Sequence, residues 1–221
     1  MRLLINFIFY FFVSTLIAQS EYELKLKVNE KSDLAVVVDT ISEKKFNLFL
    51  RDNPKLDFFT KNSDSLLKRV LFEYNNIIKI KDTCLVFKAL ESEEKLCKYI
   101  PEPFNKGFMN YEVMGQKKGF LVFEKTQYEW WEYFCFNPET QKSFYTKNYP
   151  IFISDKLVFS IGNYYLEGQF EILDLERNKK YSFDSFNWEI VRFYRVNKTF
   201  YLNFKNNHDN SESRYIKITL I

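Results

Sequence analysis

Histidine is almost missing from this chain. Among 221 residues only His208 carries an imidazole, and a histidine-based zinc site takes two or more. Ser-His-Asp or Cys-His catalysis would have to be built on His208 alone. That residue sits in the polar run 206–212, and no Gly-x-Ser-x-Gly nucleophile motif occurs anywhere. The neighbouring acids at 209–212 lack the spacing of a calcium loop, and the cysteines lack metal-site spacing, so no metal is expected. Glycine is scarce too. Gly107, Gly115, Gly119, Gly162 and Gly168 never cluster, which leaves no phosphate-cradling loop and no cofactor to expect.

Charge of one sign is also lacking. The chain has 32 Lys and Arg against 29 Asp and Glu, interspersed along its length. A nucleic-acid binder would carry a clustered basic patch, so nucleic acid is not an expected partner.

The N-terminus carries the one long apolar run. Met1-Arg2 gives a positive start, residues 3–17 are apolar, and Ala18-Gln19-Ser20 supply small residues before a cut. This pattern reads as a signal peptide over 1–18, with cleavage after Ser20 as the other choice. A permanent span needs about 20 apolar residues, so no stable membrane span is expected once the signal is removed. The expected location is exported: periplasmic, cell-envelope or extracellular. Residues 19–221 are expected to form a single all-β domain.

Three cysteines in an oxidising compartment allow at most one bridge and one buried thiol. Cys84 and Cys97 are candidates on neighbouring strands. A hairpin turning at 91–94, however, sets Cys97 opposite Lys88. Three buried thiols, with Cys135 the third, are the alternative.

What the chain has in abundance is aromatic: 25 Phe and 15 Tyr. Such residues fit pleated, half-buried strands. Leu85-Val86-Phe87 returns as Leu121-Val122-Phe123 and as Leu157-Val158-Phe159, at an even spacing of 36 residues. Each copy follows an alternating strand and a polar turn, and precedes another strand, which is the pattern of hairpins. Weaker copies lie at 24–50, where 46–50 is read as a third strand, and at 191–221. The stretch 136–144 aligns with 175–183 as strand, turn, strand.

Five units of repeated antiparallel β-meander predict a small five-bladed β-propeller-like fold. An antiparallel β-sandwich or barrel is the alternative. Leu66, Leu67, Val70, Leu71 and Tyr74 recur at helical spacing, which predicts one short helix near 64–74. A strand over 69–74 is the other reading.

The densest aromatic segment is 128–136. On a strand, Tyr128, Trp130, Phe134 and Phe136 share one face, while Trp131, Tyr133 and Cys135 share the other. Both faces are largely apolar, as in a strand covered on both sides. Tyr128, Trp130 and Trp131 are also the candidate binding residues, since flat rings at a rim stack on a sugar or anchor a protein.

With no catalytic motif, the expected function is a non-enzymatic binding module for a protein, peptide or glycan. A carboxylate-based glycan hydrolase and a structural envelope role are the alternatives. Acids converging in a deep pocket would favour the enzyme, and exposed aromatics on a shallow face would favour binding.

Overall fold

A computed structural model describes residues 27–28, 36–50, 63–99, 107–128, 130–165, 167–209 and 211–220. The predicted export signal lies outside them. No helix among the described residues is long and apolar enough to cross a membrane.

The all-β class holds. Among the described residues sixteen strands form four antiparallel sheets, of three, four, five and four strands, and none closes into a barrel. The described residues fall into two compact units. One takes its described residues from Met1–Asn53, Asn163–Gln169 and Phe183–Ile221, the other from Pro54–Gly162 and Phe170–Ser182.

In the second unit, helix α2 (Ser63–Glu73) matches the expectation for 64–74. It leads into β3 (Ile78–Lys81), β4 (Cys84–Lys88) and β5 (Glu93–Cys97). The next sheet holds β6 (Met109–Lys117), β7 (Phe120–Gln127), β8 (Trp130–Asn137) and β9 (Lys142–Thr146). Short β10 (Pro150–Phe152) pairs with β11 (Leu157–Tyr164), followed by β12 (Glu167–Asp174) and β13 (Lys179–Ser185), strands whose residues are divided between the two units.

Each Leu-Val-Phe lies at or next to the start of β4, β7 or β11, the strand after the first in its hairpin series. The tripeptides do not share a common side. Leu85, Phe87, Leu121 and Phe123 enter one core cluster with Phe134 and Phe136. Val122 and Val158 enter another, with Phe120, Cys135, Phe152 and Leu173. Strand alternation on β7 and β8 accounts for the split. The central sheet is therefore covered on both faces. Phe87 meets Phe123 at 5.2 Å and Phe134 at 5.0 Å, both edge-on, the geometry that aromatic quadrupoles favour.

In the first unit, β14 (Trp188–Val196), β15 (Thr199–Asn206) and β16 (Ser213–Leu220) run consecutively, and β2 (Val36–Thr40) joins the edge of β16. The two-residue β1 (Lys27–Val28) pairs with Phe183 and Asp184 of β13. The strands of the first expected copy are thus shared between two other sheets. Among the described residues four sheets result in place of five units.

Residues 46–50, expected as a strand, belong to a second helix, α1 (Glu43–Leu50). Ser42 caps it, its Oγ accepting the Lys45 N–H at 3.3 Å, with Glu43 in the first turn. Both features favour a helix N-terminus. Phe46 is fully buried against Tyr194 and Tyr215, and Tyr194 Oη donates to the Phe46 carbonyl at 2.8 Å.

Two register expectations are corrected. The β4–β5 hairpin turns at 89–92, with the Ala89 N–H bonded to the Ser92 carbonyl, so Lys88 faces Glu93 and Cys84 faces Cys97. The two cysteines form a disulfide with Cα atoms 3.9 Å apart, and Cys135 is a buried free thiol. Glu93 and Glu94 join the strand because Glu94 is half-buried and takes a hydrogen bond from Tyr145 Oη at 2.9 Å. The aligned turns are also offset by two residues from the expected match. Asn137 Oδ1 accepts the N–H groups of Glu139 and Thr140, and Asp174 Oδ1 those of Glu176 and Arg177. Gln141 and Asn178 then take left-handed φ of 54° and 53°. Asn137 thus corresponds to Asp174, since an Asx cap fixes the turn's start.

Candidate functional site

The β7–β8 hairpin turns beyond Gln127, at Tyr128. Gln127 faces Trp130, Thr126 faces Trp131 and Lys125 faces Glu132. Tyr128 belongs to the turn and not to the strand, and it is 47% exposed. Trp131 begins the second face of β8 and is 44% exposed. Trp130 starts the first face and is half-buried. The hairpin brings the three expected residues to one tip but divides the two indoles between opposite sides of the sheet.

Each side has its own polar support. Beneath Trp130, Lys125 Nζ bonds Glu132 Oε1 at 2.8 Å and lies 5.2 Å from the indole centroid and 5.5 Å from that of Tyr145. This partly buried cation is held over two ring faces, where ring quadrupoles attract it. On the side of Trp131, Tyr133 Oη donates to Glu124 at 3.2 Å and its ring meets Tyr149 at 5.7 Å. Burial, with the Glu124 charge second, pushes the Tyr133 phenol well above its ordinary value. Tyr145 is raised likewise, by burial and then by its hydrogen bond to Glu94. Both phenols are therefore neutral donors that fix carboxylates.

At the other end of β8 the second unit contains a cavity of about 340 Å³. Three turns enclose it: 89–92, the β8–β9 turn and the β12–β13 turn. Phe120, Phe144 and Leu175 supply apolar wall, and the rings of Phe120 and Phe144 meet at 5.2 Å. The Leu90 N–H donates to the Gln141 carbonyl at 3.0 Å, tying two of the turns together.

Glu91, Glu94 and Glu176 also line the cavity. Glu94 is held by Tyr145 and by Ser92 Oγ at 2.9 Å. Glu176 pairs with Lys156 at 2.7 Å. Two of the three acids are thus committed to neighbours. Among the described residues no group of three or more His, Cys, Asp or Glu side chains is arranged to hold a metal.

His208 has its N–H accepted by Asn206 Oδ1 at 2.8 Å, in the turn between β15 and β16. The sequence reading missed the cavity. Its signal was present in the paired Asx turns, but the hairpins place them together only through tertiary packing. Compared with known proteins, the chain matches no family model and no curated protein.

Proposed function

We propose that this chain is an exported, non-catalytic β-rich binding protein whose β7–β8 hairpin engages a protein, peptide or glycan through Tyr128 and Trp131, with Trp130 behind them. The observation that carries the reading is two large aromatic side chains nearly half exposed at the tip of a hairpin whose other end is locked in the core. A rigid ring loses little conformational freedom on contact, so such residues make effective anchors.

Export is supported by the apolar leader and is compatible with the Cys84–Cys97 bridge. The non-catalytic part rests on the commitment of Glu94 and Glu176 to structural partners.

The test is a glycan array and a displayed-peptide library probed with the oxidised chain and with a Tyr128→Ala/Trp131→Ala variant. The expected result is a hit whose affinity falls at least tenfold in the variant, about 1.4 kcal/mol or more. Hits that bind both proteins equally would remove the hairpin from the function.

A further inference from the structure

The cavity at the three turns has no part in the hairpin reading, and its polar residues are exposed or half-buried. Glu91, Gln141, Lys142, Ser143 and Asn178 line it, and their side chains make no hydrogen bond or ion pair with any described residue. Two amide residues, Gln141 and Asn178, a lysine and a glutamate therefore share the lining with an apolar wall built from Phe120, Phe144 and Leu175.

Amides and hydroxyls both donate and accept. A partner suited to them must offer groups that do the same at several points, while presenting an apolar patch to the phenylalanine rings. At about 340 Å³ the space lies at the lower end of the roughly 300–1,000 Å³ of small-molecule sites. Charge does not select an anion, because three carboxylates and one ammonium line the walls. A cation is not favoured strongly either, since Glu94 and Glu176 already have partners. Sugars meet these demands: their hydroxyls donate and accept, and their ring C–H groups form an apolar face.

We infer that this cavity is a saccharide subsite for one or two sugar rings. Phe120 and Phe144 supply the apolar contact, and Gln141 and Asn178 the hydroxyl contacts. The site is independent of the hairpin tip and would stand if the hairpin bound nothing.

The turn geometry permits a clean test. Gln141 and Asn178 hold positive φ, which glycine adopts without steric cost. Gln141→Gly/Asn178→Gly therefore deletes both amides with the backbone retained, and equal melting temperatures would verify that. Binding of glucose, galactose, N-acetylglucosamine and cellobiose is measured by calorimetry and saturation-transfer NMR on the oxidised chain, with free lysine and glutamate as controls. The expected result is saccharide binding that weakens at least tenfold in the glycine variant and is unchanged in Tyr128→Ala/Trp131→Ala. The inference is overturned if no saccharide of the panel binds, if lysine or glutamate binds more tightly, or if the glycine variant binds as well as the parent.

Discussion

Asn148 and Gly162 show how tightly single residues are specified. A Cβ on Gly162 would lie 2.2 Å from Asn148 Oδ1, and the Asn148 backbone is clamped by Ser160 Oγ, which accepts its N–H and donates to its carbonyl, both at 3.0 Å. The Asn148 amide, whose Nδ2 has no hydrogen-bond partner among the described residues, can turn aside, but its Cβ, 3.1 Å from the added methyl, is fixed by the clamped backbone. Gly162→Ala should therefore lower stability by about 1–3 kcal/mol, the usual cost of overpacking, measured by urea unfolding. The same midpoint as the parent would show that the contact is soft.

The phenols of Tyr133, Tyr145 and Tyr194 are all raised above their ordinary value of 10.0, with burial the first cause in each case. In the unfolded chain they ionise from about pH 10, while in the folded chain they keep their protons. The stabilisation is fully present below pH 10 and is lost as pH rises from there toward the folded values. Urea midpoints taken between pH 8 and 12 should be flat at first and then fall. Tyr194→Phe should shallow the fall while removing one hydrogen bond, worth about 1 kcal/mol. An unchanged alkaline slope in the variant would contradict the assignment.

At the scale of elements, the sequence was most legible where pattern and packing agree. The apolar spacing of 66–74 yielded α2, and the alternation in 130–136 correctly divided Phe134 and Phe136 from Tyr133 and Cys135. Reading failed where local chemistry competed with composition. Phe46, Leu48 and Leu50 alternate like a strand, yet Ser42 and Glu43 start a helix that buries Phe46 among tyrosines. The β4–β5 turn was misplaced because two glutamates read as turn residues, whereas one is drawn into the sheet by Tyr145.

The corrected turn aligns Cys84 with Cys97, which are separated by 13 residues. Closing so short a loop stabilises by roughly 3 kcal/mol. Cys84→Ala/Cys97→Ala should lose about that amount, and the unreduced, denatured parent should show one reactive thiol, that of Cys135. Three reactive thiols in protein secreted through an oxidising compartment would refute the bridge.

Across the whole molecule, the class was legible and the sheet count was not. Period and composition identify antiparallel hairpins, because each hairpin is closed by residues near in sequence. The pairing of β2 with β16 joins residues at opposite ends of the chain, and no local pattern encodes that choice. The candidate site divides in the same way. Tyr128, Trp130 and Trp131 are contiguous and were visible as a group, while the cavity draws on turns from three separate sheets.

The proposed role turns on the hairpin tip, and the chain's three tryptophans allow it to be watched. Two lie at the tip, and Trp188 is fully buried. The direct measurement is tryptophan emission during titration with the tightest hit from the array or library. The account predicts a blue shift that saturates with binding and disappears in Trp130→Phe/Trp131→Phe, where only Trp188 remains. Saturable binding with no change in emission, or the same shift in the variant, would contradict it.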